Sequence, residues 1–164
     1  MTVSKMVSPP IVCGVDGSDG SRHAFHEAVT LARALDARLV AVAAWQHSTS
    51  MYDAYAPNPG PSPKAIAFAT LEEVVRAEFG EEHPNWVVLR AEPGHPGKVL
   101  VAAAHDALML VIGSRGLSGL ASPFLGSVSL YCATQADCPV LVVRPRDEHP
   151  ERAHTRQHPK EELA

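Results

Sequence analysis

Five short apolar runs alternate with segments of helical spacing, and that alternation restricts the fold more than any other feature of the chain. The runs are Ile11–Val15, Arg38–Trp45, Trp86–Leu89, Leu108–Ile112 and Val140–Val143. Each is the length of a strand and, after Arg38 in the second, continuously apolar, the pattern of strands covered on both faces. Between the first two, Ser18 or Asp19 can cap a helix that ends at Asp36, with Ala24, Ala28, Leu31, Ala32 and Leu35 at helical spacing. A second helix begins at Ser62-Pro63, serine as cap and proline in the first turn. It carries an imperfect stripe of Ile66, Ala69, Val74 and Val75, with Leu71 nearby, to about Phe79. After a turn at Gly94–Gly97, Lys98–His105 is a third helix with Val99, Leu100 and Ala103 on one face, and Gly126–Ala136 is a fourth. The order β-α-β-α-β-α-β-loop-α-β predicts an α/β domain, a parallel sheet with helices on both faces.

Sheets of that kind bind ligands beyond the carboxyl ends of their strands, where strand order reverses. Two glycine- and serine-rich turns fall at such ends: Asp16-Gly17-Ser18 after the first strand and Gly113-Ser114-Arg115-Gly116 after the fourth. The second belongs to a longer pattern. Two residues separate Gly113 from Gly116, nine separate Gly116 from Gly126, and Ser127 follows directly. Glycine lets a backbone approach a ligand closely and reach positive φ. Consecutive N–H groups in such a loop form an anion nest. Gly126-Ser127 opens a helix, whose N-terminus favours negative charge. The hydroxyls of Ser114, Ser127 and Ser129 add donors and Arg115 a cation, which together make a phosphate cradle. Asp16 has two readings, a turn or cap residue and a ligand contact at a strand end.

The chain resembles the universal stress protein family at Val15-Asp16-Gly17-Ser18, Gly113-Ser114-Arg115-Gly116, Gly126-Ser127-Val128-Ser129 and Cys138-Pro139-Val140-Leu141-Val142-Val143, over roughly residues 9 to 145. The spacing Gly-x2-Gly-x9-Gly-Ser is the one carried by the ATP-binding members. The resemblance implies a Rossmann-like, flavodoxin-like three-layer sheet of five parallel strands in the order 3-2-1-4-5. It implies ATP, with Mg2+, as ligand, and a homodimer through the last strand, Val140 to Val143. By the same carry-over Asp16 sits near the adenosine with Gly14 and Gly17 on its side, and Ala44 contacts adenine through its backbone. Ile112, Gly113, Ser114, Arg115, Gly116, Leu117 and Ser118 wrap ribose and phosphates, and Gly126, Ser127, Val128 and Ser129 hold the outer phosphates. Ala43 departs from the family, many of whose members have histidine there.

Other chemistries lack their residues. No G-x4-G-K-[ST] run, no G-x-G-x-x-G fingerprint and no G-x-S-x-G elbow occurs. The chain has 9 histidines, but His149, His154 and His158 lie in a charged stretch without cysteine partners, and His23 and His26 lack a third ligand. No protein-held metal is expected. His95, in its Gly-Pro turn, is placed to reach a pocket mouth. Glu72-Glu73 and Glu81-Glu82 read as solvated helix charges. With no base in view to activate water, a binding and stress-signalling role leads; a slow ATPase or autokinase, and a non-nucleotide dimerisation module, are the alternatives.

A net charge of −4 and a pI near 6.1 exclude the basic footprint of a nucleic-acid binder. The apolar runs are too short to span a bilayer, and Met1–Pro10 has no signal-peptide pattern. Cys13, Cys132 and Cys138 form no C-x-x-C pair, so a reducing cytoplasm is expected, with Cys13 and Cys132 as buried hydrophobes. The proline-rich stretch Gln46–Pro63 reads as a long surface loop. Residues 1–145 read as one domain, and 146–164 as a charged, disordered tail.

Overall fold

The computed structural model describes residues 8–46, 60–116 and 125–145. They form β1 (Ile11–Gly14), α1 (Asp19–Ala34), β2 (Leu39–Trp45), α2 (Pro63–Phe79), β3 (Val87–Pro93), α3 (Pro96–Ala103), β4 (Met109–Gly113), α4 (Ser127–Gln135) and β5 (Val140–Val143). The strands make one sheet in the order β3-β2-β1-β4-β5, every pair parallel. The expected architecture is the observed one.

Strand periodicity divides the core in two. Cys13 lies opposite Ala41 and Val111, and all three face α1 and α2. Val12 lies opposite Val40 and Leu110, and these face α3 and α4. Side chains alternate across a strand, so a strand apolar at every position has to be covered on both sides. Burial pushes the Cys13 thiol far up, and Cys132, on α4, up to about 11. Both are therefore inert thiols packed as small hydrophobes.

Helix caps follow local chemistry. Ser18 Oγ accepts from Ser21 N and starts α1; Ser62 Oγ accepts from Ala65 N and starts α2, with Pro63 in its first turn. Three expectations need correction. The buried stripe of α2 is Ala67, Leu71, Val74 and Val75, at i, i+4, i+7 and i+8. Ile66, 54 % exposed, and Ala69 point outward; the larger residue misled the reading of the stripe. β3 continues four residues past Leu89 to Pro93, because its backbone stays in register with β2 as far as Trp45↔Pro93. As an edge strand it tolerates Arg90 and Glu92, which pair with each other at 2.8 Å. α3 starts two residues early, at Pro96, with His95 as its N-cap.

Glu72 and Glu73 are exposed on α2, with Glu73 bound to Arg22 of α1 at 2.8 Å; Glu81 and Glu82 are exposed too, but lie beyond the helix. His23 and His26 are exposed on α1. Among the described residues, no helix is long and apolar enough to cross a membrane. Most of the 46–63 loop and the whole 146–164 tail fall outside the described residues.

Candidate functional site

With strand order 3-2-1-4-5, the reversal lies between β1 and β4, whose carboxyl ends diverge into the Asp16 turn and the Gly113–Gly116 loop. A cleft of about 250 Å3 opens there, at the lower edge of the roughly 300–1,000 Å3 of small-molecule sites. Its floor is the α3/α4 face of the sheet. Gly14 ends β1, Val42 and Ala44 lie in the second half of β2, and Ile112 is the penultimate residue of β4; Leu100 and Pro96 of α3 close the side. Gly14 lets the side chains of Leu100 and Ile112 close in: a Cβ there would stand 2.8 Å from Leu100 Cδ1 and 3.2 Å from Ile112 Cγ2, so those side chains would have to shift. The opposite rim is polar: Asp16, Ser21, Arg115, Gly116 and the start of α4, Gly126–Ser129.

Asp16 takes the turn role with one carboxylate oxygen and leaves the other unpaired among the described residues. Its Oδ1 accepts from Ser18 N at 3.0 Å and from Ser18 Oγ at 2.5 Å, shaping the turn into α1. Its Oδ2 has no hydrogen-bond partner among the described residues and points at Gly116, where a Cβ would be 2.7 Å away. Gly126 caps α4 without a side-chain hydrogen bond. The N–H groups of Ser127, Val128 and Ser129 find no acceptor among the described residues, and the first turn of α4 presents the positive end of its dipole to the cleft.

The loop glycines do not play the part expected from positive φ. Gly17, Gly80 and Gly94 have positive φ; Gly113, Gly116 and Gly126 do not. Gly113 is small because the start of α1 lies against it: a Cβ would meet Gly20 C at 2.7 Å and Ser21 N at 3.0 Å. Gly20 in turn leaves room for the Arg115 carbonyl, 2.7 Å from its own Cβ position. Packing against the protein therefore accounts for Gly113, and the Asp16 carboxylate for Gly116. Gly126 differs, since a Cβ there would meet nothing closer than 3.4 Å.

Two of the serines expected as phosphate donors do not offer their hydroxyls to the cleft. Ser129, 4 % exposed, lines the cleft but donates its hydroxyl to Gly113 O at 2.7 Å, tying α4 to the end of β4. Ser114 does not line the cleft. Its N–H donates to Val143 O at 2.7 Å and its carbonyl accepts from Gly126 N at 2.9 Å. Its hydroxyl is buried without a partner among the described residues. Ser127, exposed, keeps its hydroxyl available. Gly17 also stays off the cleft wall, while Leu117 and Ser118 lie outside the described residues. His95 stacks near Tyr131 at 6.4 Å rather than lining the cleft; its neighbour Pro96 does that.

The wall also holds Val15, Ser21, Val42, Pro96 and Leu100, which motif reading missed. Strand period alone points to Val42, two residues before Ala44 on the same face. Nothing in the local sequence marks the others, which reach the cleft through tertiary packing.

Residues 9–144 match the profile of the universal stress protein family. A universal stress protein of Mycolicibacterium smegmatis is 35 % identical over 149 residues, covering 84 % of this chain and 46 % of that relative. The chain thus spans about half the length of that relative. A universal stress protein of Thermus aquaticus is 33 % identical over 140 residues, covering 82 % of this chain and 97 % of that one. A solved universal stress protein in complex with cAMP superposes with a TM-score of 0.59 at 27 % identity, covering 84 % of this chain and 97 % of that chain. The sheet order, the family match over residues 9–144 and these relatives agree: the chain belongs to the universal stress protein family.

Proposed function

We propose that the cleft between β1 and β4 holds an adenine nucleotide, ATP in the first instance, as a non-catalytic ligand of a stress-signalling protein. The observation that carries this reading is the uncapped start of α4. Three backbone donors there share a cleft wall with Arg115, and at Gly126 a Cβ would meet its neighbours only at ordinary contact distance, so packing against the described residues does not demand glycine. The apolar floor of Val42, Ile112 and Leu100 suits a purine face, and Asp16 Oδ2 is a free acceptor for ribose hydroxyls. That a relative at 27 % identity is in complex with cAMP supports the nucleotide class.

Asp16 is the one carboxylate lining the cleft among the described residues, with Oδ1 already committed to Ser18. Among the described residues no carboxylate lines the phosphate end, so Mg2+ accompanying ATP would be held by phosphate oxygens. For the same reason the cleft offers no free base beside the phosphates to activate water, which favours holding ATP over hydrolysing it.

Isothermal titration of ATP into the purified chain tests the reading. Saturable heat is the expected result; none at millimolar ATP would overturn it. We also propose a homodimer through β5, which pairs with β4 alone among the described strands and leaves Leu141 39 % exposed. A monomeric mass at micromolar protein would count against the dimer.

A further inference from the structure

Ser21 lines the cleft and is buried, yet motif reading assigns it nothing. It closes a ring of hydrogen bonds with the turn that carries Asp16. The Asp16 N–H donates to Ser21 Oγ at 3.4 Å, and Ser21 Oγ donates to Ser18 O at 2.9 Å. In the other direction, Ser21 N donates to Ser18 Oγ at 3.2 Å, and Ser18 Oγ donates to Asp16 Oδ1 at 2.5 Å. A serine hydroxyl has one proton and accepting lone pairs; both hydroxyls in this ring donate once and accept once. Backbone and carboxylate of Asp16 are thus each held by one side of the ring. The glycine loop rests on the same residue, since the Cβ position of Gly113 is 3.0 Å from Ser21 N.

We infer that Ser21 is a positioning residue that holds Asp16 with Oδ2 turned into the cleft, and so sets the preference of the site for a ribose bearing free hydroxyls. The inference rests on the nucleotide reading above and adds to it which group of the ligand is read, and through which residue. The Ser21 hydroxyl is committed to Ser18 O and the Asp16 N–H, so it acts on a ligand through Asp16. Its loss therefore weakens the ribose contact and leaves base and phosphate contacts intact.

The test compares ATP with 2′,3′-dideoxy-ATP by calorimetry on the full chain. Wild type is expected to prefer ATP by roughly tenfold, the worth of one hydrogen bond to a charged acceptor. Ser21→Ala is expected to bind dideoxy-ATP as wild type does while losing most of its preference for ATP. The double variant with Asp16→Ala should show no further loss. Ser18→Ala opens the same ring from the other side and gives the same signature, should Ser21→Ala fold poorly. Equal weakening of both nucleotides in both single variants, or an unchanged preference, overturns the role of Ser21 while the nucleotide reading stands. A wild type that binds ATP without preferring it over the dideoxy analogue does the same. A wild type that binds neither nucleotide overturns the nucleotide reading itself and this inference with it.

Discussion

Gly116→Val is expected to lower ATP affinity by about 10- to 100-fold while the protein keeps its fold. The first branch point of any larger side chain at Gly116 stands 2.7 Å from Asp16 Oδ2. That obstacle is one oxygen of an exposed carboxylate on a turn, not a backbone wall. The carboxylate can swing away, so the strain of an overpacked core, about 1–3 kcal/mol, is largely relieved. Relief comes at the site's expense: Oδ2 leaves the cleft, and the valine methyls occupy the space beside Arg115. One lost charged hydrogen bond together with steric exclusion corresponds to about 1.4–2.8 kcal/mol, or the stated fold-change. Calorimetry reads the affinity, and thermal denaturation without nucleotide reads the fold. Wild-type affinity in Gly116→Val would place the ligand elsewhere.

Gly113→Ala is expected to do the reverse, damaging the fold even without nucleotide. Its Cβ would lie 2.7 Å from Gly20 C, 2.8 Å from Gly20 O and 3.0 Å from Ser21 N. All three are backbone atoms in the first turn of α1, and none can rotate out of the way. Either β4 or the start of α1 has to shift, and with it the Ser21 ring and the Ser129 bond to Gly113 O. Overpacking of this kind costs about 1–3 kcal/mol. In a domain of this size that lowers the melting temperature by roughly 2–4 °C per kcal/mol. An unchanged melting temperature in the ligand-free variant would show that the contact relaxes at no cost, contrary to the close packing described.

These two expectations divide a motif that reads as a single unit in the sequence. The spacing Gly113-x2-Gly116-x9-Gly126-Ser127 marks the right place, because its residues converge at the end of β4. It does not say what each glycine is for. Gly113 and Gly116 are small for the sake of α1 and Asp16, whereas a Cβ at Gly126 would make only ordinary contacts. The partners that require small residues lie almost a hundred positions away in the chain, beyond the reach of local spacing. The same limit hid Leu100 and Pro96, which belong to a helix whose packing over the β1/β4 junction is a tertiary event. It also hid the Ser129 hydroxyl, bonded to Gly113 O, and the Ser114 backbone, bonded to Val143 O and Gly126 N.

Element order was legible for a physical reason. β1, β2 and β4 are covered on both faces, so their apolar runs are continuous and unmistakable. β3 sits at the sheet edge and alternates in burial, so only its first residues announced it. In α2 the exposed Ile66 outweighed the smaller Ala67 in the apolar pattern, although it is Ala67 that shares a face with Leu71 and Val75. Apolar size and helical phase are separate signals, and phase decides burial.

The central claim is that one cleft, between the ends of β1 and β4, holds the nucleotide. Mapping amide chemical shifts during titration of ATP into isotopically labelled protein tests it most directly. The account predicts saturable shifts concentrated at Gly14, Asp16, Ala44, Gly116 and the first turn of α4, Ser127 to Ser129, with α2 unaffected. Shifts that saturate at another surface, or none at millimolar ATP, would contradict it.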